Sequence, residues 1–129
     1  MVGENMVEKF GFEKLDVYQK AIKFNDLVYK ITKNFPRSEM YGLISQIRRC
    51  SRSIALNIAE GYGRYHKKLK NQFYYTARAS VYECIPILTI SLNQKYITKS
   101  EYDELYDECH ELSRMISGLI DSINKRNTN

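Results

Sequence analysis

The sequence predicts an all-α protein, an antiparallel up-down four-helix bundle, on three observations. Apolar residues recur at alternating steps of three and four through four long stretches. Only 2 prolines interrupt 129 residues, and both fall where a helix can end or bend. No stretch alternates apolar and polar residues with period two, and no hairpin turn sequence competes. Helices this long, each spanning ~30 Å or more at about 1.5 Å per residue and joined by short connections, close most simply as one up-down bundle over residues 1–129.

The first helix is expected over about 12–34. Val17, Ala21, Phe24, Val28, Ile31 and Phe35 form its inward stripe, widened by Leu15, Tyr18, Ile22 and Tyr29. Pro36 stops it, because a proline disfavours helical geometry in the residue before it. The second helix is expected over about 40–62, with Leu43, Ile47, Cys50, Ile54 and Ile58 inward. Gly61 and Gly63 end it, since glycine enters a left-handed cap at little cost.

The third helix is expected over about 66–94, with Leu69, Phe73, Ala77, Val81, Cys84 and Leu88 inward. Pro86 lies inside it and predicts a kink near Tyr82 to Pro86. The fourth, over about 98–124, opens on Thr98-Lys-Ser-Glu101, a capping box, and carries Tyr102, Leu105, Cys109, Leu112, Ile116, Leu119 and Ile123 inward. The polar tail from Lys125 to Asn129 is expected to fray.

Composition narrows the function classes. No apolar run reaches the ~18 residues of a membrane span, and the first ten residues carry no signal-peptide pattern, so a cytoplasmic protein without membrane contact is expected. Cys50, Cys84 and Cys109 are an odd number without paired spacing, and each lies on an apolar stripe; they read as reduced core thiols rather than disulfides or metal ligands. His66 and His110 complete no nucleophile, base or metal constellation. Cys109 and His110 are neighbours on a helix, about 100° apart, and cannot readily share a metal. The expectation is a protein with no catalytic residues, no cofactor and no metal.

Charge is polarised along the chain. From Arg48 to Arg78 eight basic residues meet a single acid, Glu60, a balance of +7 in a chain whose net charge is +5. From Glu101 to Glu111 there are six acids and no Lys or Arg. Arg48, Arg52, Arg64, Lys67, Lys68 and Lys70 are the candidate phosphate contacts, interleaved with Tyr62, Tyr65, Tyr74 and Tyr75, on which unpaired bases can stack. No base-reading pattern accompanies them, so any recognition is expected to be electrostatic and sequence-tolerant. The alternative is a solvated helix start with Tyr74 or Tyr75 in the core.

Beside the apolar stripe of the second helix, Gln46, Arg49, Ser53, Asn57 and Glu60 share a narrow polar one. It reads as a hydrogen-bonded seam with Arg78, Ser80 and Glu83 of the third helix, in which removing one partner of a buried pair costs ~3 to 5 kcal/mol. The alternative is a functional groove or subunit interface around Arg49 and Glu83.

Two blocks make the chain recognisable: Phe35-Pro36-Arg-Ser-Glu39-Met-Tyr41-Gly42-Leu43, and Asn57-Ile58-Ala59-Glu60-Gly61-Tyr-Gly63-Arg64 after Gln46, Arg48, Arg49 and Ser53. With Leu15-Asp-Val-Tyr-Gln-Lys-Ala21 and Ala77-Arg-Ala79-Ser80-Val-Tyr-Glu83, the sequence resembles the four-helix-bundle family named for the 23S rRNA intervening-sequence protein over about residues 10–124. Ala79, where a glycine is expected before the serine, and Pro86 depart from its pattern. The resemblance implies an up-down bundle assembled as a ring, commonly a pentamer, and a related branch of accessory proteins of diversity-generating retroelements that bind reverse transcriptase and nucleic acid. Two functions follow as expectations: a ring-forming accessory protein whose basic patch contacts RNA or DNA, or an oligomeric scaffold for a protein partner without nucleic acid.

Overall fold

The computed structural model describes residues 7–126. Four helices, α1 (Asp16–Thr32), α2 (Leu43–Tyr62), α3 (Lys67–Asn93) and α4 (Lys99–Lys125), form the bundle. Each packs on its chain neighbours and α4 returns to α1, while the diagonal pairs stay apart; the contact between α2 and α3 is the most extensive. Among the described residues no strand is present and no helix is long and apolar enough to cross a membrane. The inward stripes meet in one core around Phe24, Ile47, Ile54, Ile58, Leu112 and Ile116.

The first helix is shorter than its periodicity suggests. A separate 3-10 turn spans Gly11–Lys14, and Leu15 is extended (φ −71°, ψ 131°) before α1 starts. Local side-chain bonds close that turn on itself: the Glu13 carboxylate accepts the Phe10 N–H at 3.0 Å and the Gln19 amide donates to the Glu13 carbonyl at 3.0 Å. α2 likewise begins at Leu43 rather than 40, after a 3-10 turn over Arg37–Glu39. The Glu39 carboxylate accepts the Leu43 N–H at 3.1 Å, satisfying an orphan donor of α2, and accepts the Tyr96 hydroxyl at 3.2 Å. The Phe35 to Leu43 block is therefore a clasp that ties the start of α2 to the α3–α4 turn, where Tyr96 packs on Phe35 at 5.5 Å.

Gly61 and Gly63 do not enter the left-handed region; no described glycine does. Gly61 lies within α2, where a Cβ would stand 2.6 Å from the Tyr74 ring. Close helix approach, not a cap, requires glycine there. The left-handed residue is Lys95 (φ 65°). The Tyr96 N–H reaches the Ser91 carbonyl and the Lys95 N–H the Leu92 carbonyl, both at 2.9 Å, the paired bonds of a Schellman stop to α3.

α3 runs unbroken through Pro86, which faces solvent, as does Tyr82 one turn earlier. Water can therefore replace the bond that proline removes from the Tyr82 carbonyl. Leu69 is exposed and Phe73 half-buried, so the inward stripe of α3 begins at Tyr74 instead. At the end of α4, Ile120 is buried and Leu119 half-buried. The capping box forms: the Glu101 N–H donates to the Thr98 hydroxyl at 3.0 Å and the Thr98 N–H to the Glu101 carboxylate at 2.9 Å. α4 stays helical to Lys125, one residue into the expected tail; residues 127–129 and the N-terminal residues 1–6 lie outside the described part.

Candidate nucleic-acid interface

The six candidate phosphate contacts do not form one patch. Arg48 and Arg52 lie on the flank of α2 that faces α1. The Arg48 guanidinium stacks over Tyr29 at 4.4 Å and donates to the Thr32 hydroxyl at 3.0 Å. Arg52 donates to the Tyr29 hydroxyl at 3.2 Å. Arg48 is half-buried and holds α1 to α2 instead of projecting into solvent. Arg64 is neutralised by Glu60 at 2.6 Å and covers the Phe73 ring at 4.9 Å.

Lys70 has a structural partner set. Its ammonium donates to the Gly61 carbonyl at 3.0 Å and the Tyr62 carbonyl at 2.8 Å, two acceptors at the end of α2. Burial, and then the nearby Arg126, hold its pKa below the ordinary lysine value. Lys67 and Lys68 make no ion pair among the described residues.

The up-down topology brings the end of α4 to the start of α3, where the Asn71 amide donates to the Asn124 side chain at 2.8 Å. A depression of about 510 Å³ opens there, lined by Tyr65, His66, Lys67, Lys70, Ile123 and Arg126. Among the described residues no carboxylate lines it. Arg126 and Lys125 sit in what reads along the chain as a polar tail, and only their helical neighbours give them a role. Tyr65 is 92% exposed, with its ring against His66 at 5.2 Å, whereas Tyr74 is in the core, its pKa pushed up by burial to about 12. Of the interleaved tyrosines, Tyr62, Tyr65 and Tyr75 stand exposed and Tyr74 does not.

The polar stripe of α2 is assembled in part. Arg49 donates to Glu83 at 2.7 Å, holding that carboxylate below its ordinary value, but the two side chains are 54% and 48% exposed. Ser53 and Ser80 hydrogen-bond at 2.8 Å across the α2–α3 seam, and the Asn57 amide donates to the Ser53 carbonyl and hydroxyl. Glu60 pairs along its own chain with Arg64. Arg78 faces α4, donating to Ser117 at 2.9 Å, and Gln46 is exposed at the rim. The seam is bridged by its serines and, in water, by its ion pair, while Asn57 bonds only within α2.

Cys50, Cys84 and Cys109 are reduced and buried. Contact with Cys109 and Cys50, together with burial, holds the Cys84 thiol far above its ordinary value, which suits core packing and not nucleophilic chemistry. Among the described residues no group of three or more His, Cys, Asp or Glu is placed to hold a metal.

A four-helix bundle built around the clasp at Glu39 and the glycine contact at Gly61 defines the class of the protein. Residues 13–118 match the 23S rRNA-intervening sequence protein family, and the chain belongs to that family. A solved protein of unknown function from the S23 ribosomal protein family of Bacteroides thetaiotaomicron shares the fold, with a TM-score of 0.73 and 21% identity over 81% of this chain and 97% of its own. No curated protein matches the chain.

Proposed function

We propose that the protein is a non-enzymatic accessory factor of the cytoplasm that assembles with copies of itself into a ring and holds RNA or DNA by its phosphates. The observation that carries this reading is the segregation of charge along α4 and the start of α3. Lys67, Lys68, Lys125 and Arg126 gather where α3 starts and α4 ends, with Lys70 behind them. The acids Glu101, Asp103, Glu104 and Asp107 lie on the opposite half of α4. A basic end raises the local concentration of polyanions, and repetition around a ring multiplies a weak site through effective concentration. The reduced thiols accord with the compartment.

Self-association is supported by opposite charge on the two halves of α4, which permits a head-to-tail contact that closes by rotation. Glu108 is already engaged by Lys20 at 3.0 Å, so Glu104 and Asp107 are the acids available to a neighbouring copy. Light scattering at high micromolar concentration and moderate salt tests this half of the reading: a multiple of 15.2 kDa supports it and a monomer overturns it.

Titration of a labelled oligonucleotide against the protein at several salt concentrations tests the other half. Each neutralised phosphate contributes a log-log slope of about −0.7 on single strands. Absence of binding at low salt overturns the nucleic-acid reading and leaves the scaffold for a protein partner.

A further inference from the structure

We propose that the depression between the start of α3 and the end of α4 receives one unpaired nucleotide of a single strand, its base on Tyr65 and its phosphates on Lys67 and Arg126. The inference rests on the nucleic-acid reading above and gives it a place and a strand preference. Three independent features of that end converge on it.

The first is size and lining. About 510 Å³ lies within the ~300 to 1,000 Å³ of sites that hold small organic molecules. Its walls combine cations at Lys67, Lys70 and Arg126 with the apolar side chain of Ile123, which suits a group with an anionic edge and a flat apolar body. Lys70 is occupied by the α2 carbonyls, so direct phosphate contact falls to Lys67 and Arg126, with Lys68 flanking.

The second is Tyr65. A tyrosine that is 92% exposed contributes little to folding, yet its ring is steadied edge to face against His66 at 5.2 Å, which leaves it a stacking platform at the mouth of the depression. A base can lie on such a ring only when it is not stacked inside a duplex.

The third is the placement of Lys67 and Lys68 in the first turn of α3, where no acid accompanies them. The helix dipole disfavours cations at that end. Lys70 is compensated by capping α2; Lys67 and Lys68 have no such compensation among the described residues, and an anionic ligand supplies it.

The test is fluorescence anisotropy with the full chain and labelled ten-nucleotide probes: oligouridylate, oligothymidylate and a DNA duplex of equal length. The proposal expects single strands to bind more tightly than duplex. It expects Tyr65→Ala to weaken single strands about 5- to 100-fold with unchanged duplex binding and melting curve, and Tyr65→Phe to retain binding. Lys67→Ala combined with Arg126→Ala should flatten the salt slope by about 1.4. The uridylate and thymidylate arms distinguish RNA from DNA as the preferred strand.

If single strands bind but Tyr65→Ala and the Lys67/Arg126 variant bind as the parent does, this site is overturned while nucleic-acid binding stands. Equal affinity for duplex and single strand, indifferent to Tyr65→Ala, overturns the unpaired-base preference. No binding of any probe at low salt overturns the site together with the broader reading.

Discussion

The ammonium of Lys70, in the first turn of α3, donates at 2.8 Å to the carbonyl of Tyr62, the last residue of α2. With a second bond to Gly61 at 3.0 Å, it supplies the positive charge that a helix C-terminus favours. A lysine that reads along the chain as one of a basic run is, in space, the cap of the preceding helix. Lys70→Met should cost about 1 to 2 kcal/mol, lowering Tm by several degrees. Lys67→Ala and Lys68→Ala should leave Tm unchanged or slightly raised. Thermal melts by circular dichroism separate the three.

The ion pair of Arg49 and Glu83 behaves as a surface pair because both side chains are about half exposed. Arg49→Ala should therefore cost less than ~1 kcal/mol at neutral pH, well short of the loss for a buried pair. Its hydrogen bond lowers the folded pKa of Glu83 from 4.5, so the contribution is complete above 4.5 and disappears as pH falls through the lowered value. Urea unfolding of parent and variant at neutral and strongly acidic pH should show a small difference that vanishes in acid. An unchanged stability accompanied by lost self-association would make the pair part of an interface.

Gly61→Ala places a methyl group 2.6 Å from the Tyr74 ring and 3.1 Å from the Lys70 carbonyl. Tyr74 is fully buried and cannot swing away, so α2 and α3 must separate. The expected loss is about 1 to 3 kcal/mol, against the small gain that alanine brings inside an unconstrained helix. Gly118→Ala, with open space around its Cβ on α4, is the control and should be neutral or stabilising. Both are read by chemical denaturation.

Lys95→Gly should stabilise the protein. Its left-handed backbone (φ 65°) closes the Schellman stop of α3, a position where a side chain costs about 1 kcal/mol that glycine avoids. A rise of about 0.5 to 1 kcal/mol in unfolding free energy is expected, and a fall would show that the lysine side chain itself holds the turn.

The sequence alone determined the four helices, their inward faces apart from the first turns of α3, and the capping box at Thr98, because period and local hydrogen bonding act within a few residues of chain. That the stripe of Arg49 and Ser53 on α2 meets Ser80 and Glu83 of α3 was legible too, since such a stripe must face a neighbour; which residue pairs with which was not. Tertiary structure alone decided what the charges do. Helical packing drew Arg48 onto Tyr29, Lys70 onto the end of α2 and Arg78 onto Ser117, and exposed the Arg49 pair to water. It also set Arg126, nearly sixty positions away in the chain, beside Lys67. A long side chain can reach partners on any adjoining helix, and which helix adjoins it is fixed by packing of the apolar faces, not by the charge itself.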